Sequence, residues 1–166
     1  MSGAGGGSRQ QLQQLSEQLQ ELQEQIEGLE AEVTELQAEK TEIDEAIEAA
    51  STLETGSIVQ VPIGGDAYVR AEVQDIDEII VGLGGGYATE QPEEKAIELL
   101  EQKKDSIDER IEELNSEIAE LESESEQLEQ RAQQVQQQAL QQQAQQQAQQ
   151  QQGLGGSGPA DDQEDE

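Results

Sequence analysis

The sequence has no cysteine, histidine, tryptophan or phenylalanine, and two tyrosines are its only aromatic residues. Without cysteine there are no disulfides, thiolate nucleophiles or zinc–sulfur centres. Without histidine, acid–base work at neutral pH loses its usual agent. Aromatic rings dominate most cores. With 32% of residues hydrophobic and 1% aromatic, a large globular core is excluded. Positive charge is scarce as well. Eight lysines and arginines stand against 39 aspartates and glutamates, a net charge of -31. No basic patch is available for a nucleic-acid backbone, and an anionic membrane would repel the chain. No apolar run approaches the roughly 18 residues of a membrane span. MSGAGGGSRQ lacks the apolar stretch of a secretory signal, so the cytoplasm is the expected compartment.

High charge with low hydropathy can signal disorder. Here it accompanies unbroken heptads, which favours adaptation to concentrated salt instead. At ~1 M the Debye length is about 3 Å, and self-repulsion is largely screened. A halophilic source is therefore preferred to a merely acidic mesophilic one.

Two long segments carry the heptads. Residues 1–7 read as a flexible glycine-rich leader, and Ser8 with Gln11 has capping-box spacing. A helix over 8–55 then places Leu12, Leu15, Leu19, Leu22, Ile26, Leu29, Val33, Leu36, Ile43 and Ile47 on one a/d seam. Lys40 interrupts the seam at an a position. Gly56 suits a C′ cap. Pro92 followed by Glu93 and Glu94 starts a second helix over 92–140. Its seam runs through Ile97, Leu100, Ile107, Ile111, Leu114, Ile118, Leu121, Leu128, Ala132 and Val135, with Lys104 and Ser125 interrupting. Lys40 and Lys104 are about equally far from the middle of the chain. They either fix register at one level or snorkel their stems along the seam. Residues 141–166 form a glutamine-rich extension, expected to continue as fraying helix, and then a disordered acidic tail from Gly153.

Between the helices, 57–90 is the one stretch with β-pattern. Ser57–Pro62, Ala67–Asp75, Glu78–Leu83 and Tyr87–Glu90 read as four strands. Gly64-Gly65-Asp66 and Gly84-Gly85-Gly86 supply the turns, giving two tandem hairpins. An isolated hairpin is marginal in water, and open edges invite other chains. The sheet is therefore expected to be completed by other subunits through Val59, Val61, Val69, Val73, Ile79, Val81 and Leu83. A closed barrel shared among protomers would remove the edges. The fold class is thus mainly α with a small β-unit. It is a long antiparallel coiled-coil hairpin whose arms are joined by two β-hairpins.

Chemistry is hard to find in this stretch. The glycines at 82–86 lack the spacing and following helix of a phosphate loop. Asp75, Asp77 and Glu78 suit a solvated bend better than a cation site. Tyr68 and Tyr87 suit either interface anchors or ordinary sheet packing. Paired carboxylates occur only on solvated helix faces, so no catalytic residue, metal site or cofactor is expected, and the chain is not read as an enzyme.

From Leu12 to Val135 the chain resembles archaeal prefoldin, in its alpha class. The resemblance rests on a heptad helix on each side, two central hairpins rather than one, and the segment VPIGGDAYVRAEVQDIDEIIVGLGGGYATE. Within it Pro62-Ile63-Gly64, Tyr68-Val69, Asp75, Ile79 to Val81, Gly84 and Gly86-Tyr87 follow the family pattern. The acidic bias and the glutamine-rich extension suggest a haloarchaeal version. The resemblance implies an ATP-independent holding chaperone, with two alpha and four beta-type subunits joined through a shared β-barrel. Coiled-coil tips would capture unfolded client proteins and pass them to a group II chaperonin. In an antiparallel pair Leu12, Leu15 and Leu19 meet Leu128, Val135 and Leu140 at that tip. These six are the candidate client contacts, although they can also simply pack on one another. The alternative function is a structural coiled-coil adaptor or spacer that binds folded partners.

Overall fold

The computed structural model describes residues 4–153. The readings of 1–3 as leader and 154–166 as acidic tail fall outside them. The element order is α1 (Ala4–Thr52), β1 (Ile58–Gly64), β2 (Ala67–Glu72), β3 (Ile79–Gly84), β4 (Tyr87–Gln91) and α2 (Glu93–Gln152). The chain divides into two units: residues 28–118, and residues 1–27 with 119–166.

In the 28–118 unit the two helices run antiparallel. Glu32 pairs with Arg110 at 3.0 Å, Lys40 with Asp108 at 2.5 Å and Asp44 with Lys104 at 2.6 Å, so partners descend α2 as they climb α1. The seam buries Ile43, Ala50, Ile107, Leu114 and Ile118, and Leu114 is fully enclosed. Each seam lysine reaches an aspartate across the pair and keeps about a third of its side chain exposed (33% and 32%). The Lys104 ammonium is held above the ordinary lysine range. Its hydrogen bond to Asp44 is the main cause; partial dehydration opposes it, and the charges of Asp44, Asp108 and Asp105 add to the rise.

A polar side chain at an a position lowers stability and selects register. Replacing both lysines by leucine is therefore expected to raise stability by about 1 kcal/mol per site, through added apolar burial. The same replacement should broaden the distribution of interhelical distances. Thermal melts and paired spin labels on the two helices check the two halves of this expectation.

The helix ends differ from the sequence expectation in two places. Ala4–Gly7, read as part of a flexible leader, are helical. Three glycines are poor helix formers, at about 1 kcal/mol each relative to alanine. Gly6 and Gly7 are exposed and extend the helix that begins to face α2 at Ser8, which borders a groove with Gln143 and Gln146. At the other end α1 stops at Thr52 rather than Thr55. The chain there is drawn into the first hairpin. The Gly56 N–H donates to the Val73 carbonyl (2.7 Å) and the Ile76 N–H to the Thr55 hydroxyl (3.1 Å). Gly56 adopts φ 91° in the turn closed by the Ser57 N–H donating to the Glu54 carbonyl (3.0 Å), four residues past the end of α1, so it is not the C′ cap expected from the sequence. Pro92 precedes α2 and its carbonyl accepts the Ala96 N–H (2.8 Å), which starts the helical ladder.

In the unit formed by 1–27 and 119–166, Leu15, Leu22 and Val135 are buried. Here too α1 and α2 lie antiparallel. Ser8 and Leu12 border a groove with Ala139 and Gln146, whereas Leu22 and Gln25 border one with Leu121 and Glu124. Helix α2 continues through the glutamine-rich stretch to Gln152, and every residue from Gln141 to Gln152 is exposed.

Candidate functional site

The four strands form two separate two-stranded antiparallel sheets, β1 with β2 and β3 with β4. They are built to one plan. Gly64 pairs with Ala67 and Gly84 with Tyr87, leaving two-residue turns at Gly65-Asp66 and Gly85-Gly86. All four turn residues have positive φ (57°, 59°, 62° and 82°), the requirement of a type I′ turn. Glycine meets it without strain, and among the described residues Asp66 is the one non-glycine residue that adopts it. A bulge precedes each turn, at Ile63 and at Leu83, between Pro62 and Gly64 and between Gly82 and Gly84.

The two hairpins differ in what covers them. Val81 is 4% exposed and shares a shallow pocket with Leu99 and Ile107 of α2. The corresponding valine of the first hairpin, Val61, is 41% exposed, and its cross-strand partner Val69 is 47% exposed. Eight of the nine large apolar side chains left exposed among the described residues lie between Ile58 and Tyr87. Such a concentration marks a surface meant to be covered.

Of the seven residues expected to face other subunits, Val61, Val69 and Leu83 are exposed, and Val59, Val73 and Ile79 are half-buried. Val81 is the correction: the chain covers it with its own helix, so it belongs to the core. Alternation along a strand assigns residues to a face, but it does not reveal what lies over that face. Sequence reasoning left out Ile58 and Ile80, which are 55% and 72% exposed. Their signal was present in the adjacent apolar pairs Ile58-Val59 and Ile79-Ile80. Apolar residues on both faces of a strand mean that both faces are to be buried. Tyr68 and Tyr87, at 60% and 76% exposure, do not pack inside the chain.

The bend at 75–78 is structural. The Asp75 carboxylate accepts the Asp77 N–H (2.9 Å) and the Asp75 carbonyl the Glu78 N–H (3.3 Å). Among the described residues no three metal-capable side chains gather.

The second candidate surface lies in the unit formed by 1–27 and 119–166, where the sequence analysis places the tip. Of the six candidate client contacts, Leu15 and Val135 are buried, Leu12, Leu19 and Leu128 half-buried, and Leu140 61% exposed. Leu12 borders an open groove with Ser8, Arg9, Ala139, Gln142, Gln143 and Gln146. Leu128 lines the groove with Leu22 and Leu121. Leu15 and Val135 are therefore closed off, and the accessible apolar atoms are those of Leu12, Leu19, Leu128 and Leu140. Sequence reasoning missed the polar side of this groove.

The model of the prefoldin subunit family matches residues 22–138, which include both hairpins and most of the seam. The chain belongs to the prefoldin family. Within it the chain is of the alpha class. It is 68% identical to prefoldin subunit alpha of Halorubrum lacusprofundi over 106 residues, 64% of this chain and 70% of that one. It is 69% identical to the Halobacterium salinarum subunit over 107 residues, again 64% and 70% of the two chains. Among solved structures, the cryo-EM structure of filamentous PFD from Methanocaldococcus jannaschii superposes with a TM-score of 0.60 at 30% identity. It covers 68% of this chain and 95% of that one. The prefoldin pattern of two helices flanking two hairpins is the one found here. The matched span leaves out 4–21 and 139–153, where most of the groove residues lie.

Proposed function

We propose that the chain is the alpha-type subunit of an ATP-independent holding chaperone. It assembles through its β-hairpins with beta-type partners, two alpha with four beta, and completes a shared barrel with them. Its tips capture unfolded chains and release them to a group II chaperonin, in the cytoplasm. The observation that supports this best is where the exposed apolar side chains fall. Eight cluster on the β-unit, and the ninth, Leu140, stands at the tip. One surface suits assembly and the other suits a transient guest.

The energetics agree with a holding role. Fully burying one leucine-sized side chain contributes ~1.5–3 kcal/mol. Four partly covered leucines per tip therefore bind weakly, and release needs no nucleotide. Several tips on one body would raise avidity by about 10²–10⁴ without new contacts. A spacer that binds folded partners would need neither the uncovered hairpin nor the loosened tip.

The test is light scattering of a denatured enzyme diluted at molar salt into the assembled protein. Scattering is expected to fall as assembled protein is added. The triple variant Leu12→Gln, Leu19→Gln, Leu140→Gln is expected to lose most of that effect while native mass spectrometry returns an unchanged subunit count. Undiminished scattering at excess protein would leave the spacer reading in its place.

A further inference from the structure

The charge of this chain is distributed unevenly, and the tip stands apart from the rest. Of its 39 acidic residues, 34 fall between Glu17 and Glu129 and the other five between Asp161 and Glu166. The first turns of α1, up to Ser16, and α2 from Gln130 to Gln152 contain no carboxylate. Their only charges are Arg9 and Arg131. Both arginines are exposed, and among the described residues neither is within ion-pair distance of an acid. Arg9 borders the tip groove, and Arg131 lines a neighbouring depression with Leu128 and Gln134. Where the rest of α2 places glutamate beside its seam, the groove places Gln142, Gln143 and Gln146.

Glutamine matches glutamate in shape and in helix propensity, so helix formation alone does not account for the exchange. The difference appears on burial. In concentrated salt, repulsion at a distance is screened, with a Debye length of about 3 Å. The cost of stripping water from a carboxylate against a bound chain is not screened. A glutamate-lined groove would exclude any guest that carries carboxylates of its own. Amides dehydrate at lower cost, and they donate hydrogen bonds to carboxylates and to unpaired backbone carbonyls. Arginine adds charge-assisted pairs.

We infer that the tip is a receptor for acidic unfolded chains: an acid-free groove in which Arg9, Gln142, Gln143 and Gln146 accept carboxylate-bearing segments beside Leu12, with Arg131 in the neighbouring depression as a second anchor. This deepens the client-capture reading and rests on it. Most of the groove lies outside the span matched by the family model, so this chemistry belongs to the chain's own ends.

The test uses the full chain assembled with its partner subunits at molar KCl, and three labelled unstructured polypeptides read by fluorescence anisotropy. They share the same leucines and differ in their polar residues: Asp/Glu, Ser/Gln or Lys/Arg. Gln142→Glu with Gln143→Glu and Gln146→Glu is expected to weaken the Asp/Glu probe at least tenfold. The Ser/Gln probe should change less than threefold, and the Lys/Arg probe should bind unchanged or tighter. Arg9→Gln with Arg131→Gln is expected to weaken only the Asp/Glu probe, by about threefold or more, with helix content by circular dichroism unchanged. Equal weakening of all three probes, or none, would overturn the inference and leave client capture standing. No binding of any probe would reject both. Binding of the Asp/Glu probe that emerges only after removal of 154–166 would make the chain's own acidic tail the occupant, and would also overturn the inference.

Discussion

Val69→Glu is expected to abolish assembly while leaving the single chain folded. Val69 sits in β2 opposite Val61, on a face where both side chains are more than 40% exposed in the isolated chain. A glutamate there meets water as long as the chain is alone, and exposed substitutions of this kind usually change stability by within about 0.5 kcal/mol. In an assembly the same carboxylate would be buried without a partner, at about 3–5 kcal/mol. That converts to roughly 10²–10³-fold weaker association. Native mass spectrometry against the partner subunits should show free chain in place of a complex, and circular dichroism should show the helix signal retained. Normal assembly of this variant would remove the first hairpin from the interface.

Val81→Glu is expected to fail in a different way. Val81 is 4% exposed, over Leu99 and Ile107, and its register partner across the hairpin is Thr89. A carboxylate has no cation to pair with in that position except Lys103, which lines the same pocket. The expected cost of about 3–5 kcal/mol falls on the chain itself, so β3 and β4 should detach from α2 before any partner is present. Amide hydrogen exchange of residues 79–91 in the isolated chain reads this directly, as lost protection. Val81→Ala separates volume from charge. It should cost about 1–3 kcal/mol and leave assembly measurable. Unchanged protection in the glutamate variant would place Val81 back on the interface.

These two valines show how much the sequence could carry. The heptad spacing identified the buried seam well, because an a/d stripe can be covered by only one thing, the opposing helix. Leu15, Leu22, Ile43, Ala50, Ile107, Leu114, Ile118 and Val135 are all seam positions, and all are buried. Which strands pair was equally legible from the glycine turns, whereas the bulges at Ile63 and Leu83 that set the register were not. The covering of the sheets was not legible. Alternation puts Val61 and Val81 in equivalent places, and only the path of α2 buries one of them. Ala96, fully enclosed, also escaped the seam, because at the start of α2 another face of the helix is covered as well. The start of α1 at Ala4 was hidden by glycine propensity. At the tip, periodicity located the leucines and gave no hint of which remain accessible.

Ser8 and Gln146 border the same groove, although 138 positions separate them along the chain. Under the proposed capture role, anything attached near Gly7 or near Gly153 would arrive at the groove that receives guests. A polyhistidine label or a surface tether at either place would crowd the very event it was meant to observe, and a cationic one would recruit acidic chains by itself. The glycine turns at 65–66 and 85–86 are no refuge, being next to the proposed contacts with neighbours. The exposed outer faces of the helices, at positions such as Glu35 or Glu109, are where a fluorophore or a handle would leave both ends of the work undisturbed.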